Sequence, residues 1–185
     1  MTEDTKELHD AINEWGTFVI AEPTDGEILD EYIKRCGIKH FSARECLTMR
    51  RAGIVVDPPP RNQWANIIPT LRVAEMLRNI MGHGLVVGNG YRPPEMNKKV
   101  GGSRRSRHLF FQALDLDLPS KHQSSGNRKR YYEAAVSLWM TLGDEYKIGI
   151  GLYSPHGGSR VHIDTGYRKR RWERKYVDPI VKALR

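Results

Sequence analysis

The sequence predicts an α+β fold, a single domain whose antiparallel sheet is flanked by helices, and three observations carry that expectation. Helix-period stretches cluster early in the chain and alternating, strand-like segments late, the distribution of an α+β protein. Two of the late segments are joined by Ser154-Pro155-His156-Gly157-Gly158-Ser159, which reads as a hairpin with a wide loop. The length, 185 residues, suits one domain with one sizeable core, and 39% hydrophobic against 28% charged residues is the balance of an ordinary soluble chain. Collagenous, disordered and membrane-spanning classes fall away, since the 17 Gly and 10 Pro are dispersed and no apolar run nears the roughly 20 residues that cross a bilayer.

Residues 5–15 and 26–35 read as short acidic helices, the second opened by Thr24 or Asp25 as N-cap. Ser42-Ala43-Arg44-Glu45 is a capping-box pattern and starts a helix expected to end near Gly53. Pro58-Pro59-Pro60 breaks the chain. From 62 to 81, Trp64, Ile67, Ile68, Leu71, Ala74, Leu77 and Met81 recur at three- and four-residue intervals, which predicts a long amphipathic helix stopped by Gly82 and Gly84. A short strand at 85–88 and a second at about 112–118 follow. A long helix over about 128–143 carries Tyr132, Ala135, Val136, Trp139 and Leu142 on one stripe. Strands at about 148–153 and 160–165, a basic segment and a C-terminal helix from about 178 complete the chain.

Charge is distributed unevenly. Residues 1–31 hold ten of the 22 acidic side chains and one base, Lys6, a sum of −9, so with a net charge of +8 the remaining residues carry +17. This suggests an acidic helical arm over about 1–39 on a basic domain over 40–185, with polyanions as partners: nucleic acid, an acidic membrane surface or a cell-wall polymer. Two cysteines, Cys36 and Cys46, are too few for a disulfide scaffold. The first twenty residues lack the basic and apolar regions of a secretory signal, so the expectation is a chain made in the cytoplasm.

His9, His40, His83 and His122 lie in helical, helix-end or polar-loop contexts without ligand-spaced companions and read as structural or surface residues. His108 and Asp115 differ. In Ala113-Leu114-Asp115-Leu116-Asp117 the two-residue period puts Asp115 and Asp117 on one face and the leucines on the other, and an acid on such a strand needs a charge partner or a metal. Val161-His162-Ile163-Asp164 repeats the pattern with His162 and Asp164 on one face. Two such strands could supply a His, an Asp and a His to one ion, the ligand number of a catalytic zinc site with an open position. Half-polar strands of an antiparallel sheet are the alternative.

Gly90-Tyr91-Arg92-Pro93, Asn97, Val100-Gly101-Gly102, Ser106-Arg107-His108, Ala113-Leu114-Asp115, Gly149-Ile150-Gly151-Leu152-Tyr153 and Val161-His162-Ile163-Asp164 with Arg171-Trp172 follow one another in that order. This series resembles the M15 family of zinc peptidases, the D-alanyl-D-alanine carboxypeptidase and murein endopeptidase group, in its branch ending in a His-x-Asp strand; Phe41 to Glu45 looks like the opening of that branch. The resemblance covers roughly residues 40–173. It implies that His108, Asp115 and His162 are the zinc ligands. Arg92 matches the arginine of the family's Gly-Tyr-Arg segment and is suited to clamp a peptide carboxylate or an oxyanion. Ser106 would orient a ligand.

The chain departs from the family at three places. Phe111 stands where a glycine is usual three residues after the first ligand, so either the turn is accommodated differently or a pocket is partly filled. Ser159 and Arg160 stand where many members carry an acid or a histidine before the last ligand. His156 and Asp164 are therefore the candidates for the general base, Asp164 being better suited to a structural role and His156 equally to none. The implied activity is zinc-dependent hydrolysis of peptide bonds in peptidoglycan stems or cross-links, by a phage lysin or virion component that would also meet other virion proteins, with no membrane partner. A catalytically impaired zinc-binding module of the virion or wall is the alternative. Nucleic-acid binding through Arg168-Lys169-Arg170-Arg171 with Tyr167 and Trp172 ranks below a solvated basic face.

Overall fold

A computed structural model describes residues 24–153, 159–172 and 174–185. The expected helix over 5–15, His9 and the loop carrying His156 lie outside the described residues. Helix α1 (Asp25–Arg35) begins where Thr24 caps it: the Thr24 hydroxyl accepts from the Glu27 amide, and Glu27 accepts from the Thr24 amide in return. Leu29 and Ile33, fully buried, seat this helix in the same core as the later elements, and Asp30 accepts a hydrogen bond from the Ala43 amide.

Ser42 and Glu45 form the second capping box, opening α2 (Ala43–Leu47). This helix does not reach Gly53. The chain turns instead into a two-stranded hairpin, β1 (Thr48–Met49) and β2 (Ile54–Val55), with Gly53 at a φ of 64°. The physical reason is tertiary. The Cys46 carbonyl accepts from the Tyr91 amide, and the Arg50 amide donates to the Gly88 carbonyl, so groups a longer helix would use are engaged by the neighbouring strand.

The predicted helix over 62–81 is two pieces, a 3-10 stretch over Arg61–Ile67 and α3 (Ile68–Met81). Pro69 lies in the first turn of α3, where its missing N–H costs nothing. Every apolar residue of the expected stripe is buried, and Gly82, at a φ of 73°, ends the helix. After β3 (Val86–Asn89) come a short helix α4 (Pro94–Lys99) and a 3-10 turn (Arg107–Phe110), neither with a periodicity to reveal it, then β4 (Ala113–Asp117). Helix α5 (Ser125–Leu142) buries Ala135, Val136 and Trp139 of the expected stripe, adds Tyr131 and Ala134, and leaves Tyr132 and Leu142 only partly buried. The Tyr131 hydroxyl donates to the Leu116 carbonyl at 3.0 Å, a hydrogen bond that a buried tyrosine needs.

Strands β5 (Gly149–Tyr153), β6 (Arg160–Asp164) and β7 (Arg170–Trp172) complete a five-stranded sheet in the order β3-β4-β6-β5-β7. The antiparallel expectation holds for four strands; β7 is parallel to β5. It arises because Gly166, at a φ of 83°, turns the chain after β6 and the Arg170 amide reaches the Ile148 carbonyl on the outer edge of β5. Helix α6 (Arg174–Ala183) then starts earlier than the expected 178.

Alternation gives the sheet two faces. Leu114, Leu116, Ile150, Leu152, Val161 and Ile163, none more than 2% exposed, form an apolar face against which α3 and α5 pack. Phe111 is buried in this core, edge-on to Tyr91, and takes the left-handed backbone at a φ of 53°. It supplies the turn a glycine usually makes and does not line the cavity described below. Its ring burial outweighs the roughly 1–2 kcal/mol that such a conformation costs. Phe111→Ala is therefore expected to lower stability by about 3–5 kcal/mol, read as a fall in the urea midpoint at unchanged slope.

Candidate metal centre

The opposite face of the sheet is polar and arranged in rows. Backbone register sets Asp115 beside His162, His162 beside Gly151 and Gly151 beside Trp172. The row before it holds Arg160 beside Tyr153, and the row after it Ala113, Asp164, Gly149 and Arg170. The two glycines leave room: a Cβ at Gly151 would run into the Trp172 indole, and one at Gly149 would come within 2.6 Å of the Asp164 carboxylate. Trp172 crosses β5 and meets the His162 ring edge-on at 4.9 Å.

His108 enters from the 3-10 turn before β4. Its Nδ1–H donates to the Gly90 carbonyl at 2.7 Å, which turns Nε2 toward the sheet, and the Asn89 amide lies 3.0 Å from the same Nδ1. Gly90 makes this possible, because any side chain there would collide with the Cys46 carbonyl. His162 is held on both sides: Nδ1 lies 2.9 Å from Asp115 Oδ1 and Nε2 lies 3.2 Å from Asp164 Oδ2. Asp164, fully buried, also accepts from Arg170 at 2.7 Å.

The three inward atoms, His108 Nε2, His162 Nδ1 and Asp115 Oδ1, are 3.2, 2.9 and 3.5 Å apart. Tetrahedral zinc with bonds of about 2.0–2.1 Å places its ligand atoms about 3.3 Å apart, so the donor set fits such an ion in kind and spacing. Protonation agrees. Burial, opposed by Asp115, leaves the His108 imidazole below the ordinary histidine value, so its lone pair is available. Burial would raise Asp115, but His108 and His162 hold it well below the carboxylate range. Burial would lower His162, but Asp115 and Asp164 lift it to about 9.

A raised histidine contributes stability fully below its unfolded value near 6.5 and loses it as pH rises through about 9. The metal-free protein should accordingly show a falling urea midpoint between pH 7 and 10. A metal must displace that proton, so apparent zinc affinity should rise about tenfold per pH unit up to about 9, with close to one proton released at pH 7. Titration calorimetry in buffers of different ionisation enthalpy measures both.

These residues line the wall of a cavity of about 990 Å³, which seven arginines share with two carboxylates, Asp115 and Asp117. Arg50 and Arg51 project from the β1–β2 hairpin, Arg105 and Arg107 from the approach to His108. Arg92 Nη2 lies 3.9 Å from Asp115, its Nη1 donates to Asn97 at 3.3 Å, and its buried Nε has no partner among the described residues.

The model of the family described as peptidase M15 matches residues 39–138, just over half of the chain. The chain belongs to the peptidase M15 family. The match takes in Arg92, His108 and Asp115 and ends within α5, before His162. No curated protein matches this M15 chain. Membership makes peptidase its functional class.

In this M15 peptidase the structure brings together His108, Asp115, His162 and Arg92, and it places Asp164 behind His162. There Asp164 orients the imidazole and is shielded from the cavity, so its position gives the alternative of a base no support. Ser106 makes no hydrogen bond to His108 among the described residues; the Gly90 carbonyl does that work. Ser159 donates no proton to the site but accepts from the Leu118 amide, pinning the chain after β4. In the basic run Arg168 is exposed, while Lys169, Arg170 and Arg171 pair with Asp144, Asp164 and Asp178. Sequence reasoning missed Asn89, Arg170 as a site residue, and the Asp117–Arg160 ion pair; the shared face of Asp115 and Asp117 was the one signal for the last.

Proposed function

We propose that this M15 peptidase is a zinc enzyme that hydrolyses peptide bonds in peptidoglycan stems or cross-links, in phage-mediated or bacterial cell-wall lysis. The observation that carries this reading is the buried His108–Asp115–His162 group at the wall of an arginine-lined cavity. Zinc, when bound, supplies a Lewis acid for the scissile carbonyl and makes a water molecule acidic enough to attack it at neutral pH. His108, Asp115 and His162 would hold the ion. Gly90 and Asp164 fix the two imidazoles so that each offers one defined nitrogen. Arg92 meets negative charge, a substrate carboxylate or the developing oxyanion, with a guanidinium already largely removed from water.

The proton acceptor is His156 in this reading. It lies outside the described residues, but Tyr153 and Ser159, which bracket its loop, both line the cavity. Stem peptides carry several carboxylates, and a cavity with an excess of arginine concentrates such ligands. No helix of the described residues is long and apolar enough to cross a membrane.

The test is incubation of the purified chain with defined muropeptides, with and without chelator, read by mass spectrometry. New fragments that vanish with chelator and in His108→Ala support the proposal. Metal-loaded wild type that releases none reduces the protein to a zinc-binding wall or virion module.

A further inference from the structure

Asp117 and Arg160 form an ion pair that the chemistry above does not use. They occupy the row of the polar face next to Asp115 and His162, Asp117 two residues beyond Asp115 and Arg160 two before His162. Arg160 Nη2 lies 2.5 Å from Asp117 Oδ2, and its Nε donates to Oδ1 at 3.3 Å. Both side chains are 22% exposed and both line the cavity. Room for the pair is reserved by Gly88 at the irregularity of β3, where a Cβ would come within 2.5 Å of Arg160 Nη2 and 2.9 Å of Asp117 Oδ2.

Arg92 lines the same cavity as Arg160, and burial, joined by the charge of Arg160, lowers Arg92. Asp117 has both oxygens committed to Arg160. The only other carboxylate lining the cavity among the described residues, Asp115, lies 3.9 Å from Arg92 and is shared with two imidazoles. Against burial, Asp117 and Asp115 favour the charged form of Arg160, yet two partly desolvated guanidinium groups face one cavity, and Arg160 keeps N–H groups that have no protein acceptor among the described residues. A planar anion placed between them would accept from the N–H groups of Arg160 that Asp117 leaves free and from Arg92.

We propose that Arg160, positioned by Asp117, is a specificity-determining residue, forming with Arg92 a two-guanidinium clamp for a substrate carboxylate beside the bond that is cut. The inference rests on the peptidase reading of the site. It makes the favoured substrate a peptide with a free carboxylate next to the scissile bond, and it makes amidation of that carboxylate the change the protein rejects.

The probes are the stem tetrapeptide L-alanyl-D-isoglutamyl-meso-diaminopimelyl-D-alanine and its all-amide counterpart, offered to the full chain with zinc. Binding is read by titration calorimetry and turnover by mass spectrometry. The acid is expected to bind at least tenfold more tightly than the amide. In Arg160→Met the two should bind within about threefold of one another, with KM for the acid raised tenfold or more and kcat little changed; Arg160→Lys should recover only part, because an ammonium has no fork. Asp117→Asn should lose part of the preference while keeping the charge of Arg160, and it decides the matter if Arg160→Met does not fold. Wild type that does not distinguish acid from amide, variants that keep the preference, or a fall in kcat equal on both peptides at constant KM would overturn the clamp. Acid preference without hydrolysis of this peptide or of the muropeptides above would overturn the peptidase reading alone, and hydrolysis without the preference the clamp alone.

Discussion

Asp115→Asn binds zinc more than about a hundredfold more weakly than the wild type and releases no muropeptide fragment, while its circular dichroism is unchanged. A hundredfold is the upper end of what losing a group that merely orients a ligand costs, so a larger loss marks a ligand itself. The amide keeps the shape of the carboxylate but not its charge, which in the metal-free protein holds His162 protonated. The pH at which His162 titrates should fall with it, visible as a shift of its imidazole resonance by proton NMR. Alanine at this position is the poorer test, because it leaves a protonated imidazole with Asp164 alone on the far side of the ring, and a half-broken buried ion pair destabilises the fold. His108→Ala should lose zinc comparably at smaller cost to the fold, since that ring is buried neutral. Zinc binding that survives either substitution would sink the metal assignment.

Arg92→Met lowers kcat/KM on muropeptides by about a hundredfold to a thousandfold with zinc affinity unchanged, the loss expected when a preorganised donor to developing charge is removed. Arg92→Lys should restore little, because the guanidinium spans two positions, with Nη1 on Asn97 and Nη2 facing Asp115, that a single ammonium cannot hold together. The comparison with Arg160→Met separates the two arginines. Arg92 is expected to act on kcat as well as KM, and Arg160 chiefly on KM and on the choice between acid and amide.

Much of the site was legible because strand alternation is a local rule. Asp115, His162 and Asp164 each interrupt an apolar run at a two-residue spacing, and their inward faces follow from that spacing whatever the rest of the chain does. Both capping boxes were legible for the same reason, since Thr24–Glu27 and Ser42–Glu45 satisfy their own backbone within four residues. What could not be read were features decided by residues far apart. Helix α2 stops at Leu47 because β3 and the segment just after it engage the backbone groups a longer helix would use, and β7 pairs with β5 although its three residues show no apolar pattern. The ion pairs of Lys169, Arg170 and Arg171 could not be read because Asp144, Asp164 and Asp178 are scattered along the sequence.

By itself, then, the sequence determined the α+β class, the apolar stripe of α3 and the strands that carry Asp115 and His162 through periodicities within short reach, while the grouping of His108, Asp115 and His162 came from the resemblance to the M15 family. Only the tertiary structure decided how these are used. It put Asp164 behind His162 rather than over the site, buried Phe111 in the core rather than in the cavity, and set Arg160 on Asp117 beside Arg92. The reason is that burial and charge partnership belong to pairs of residues. In this protein several of the partners that set the chemistry of the site sit 41 or more positions apart, as with Leu118 and Ser159, Asp117 and Arg160, or Asp115 and His162.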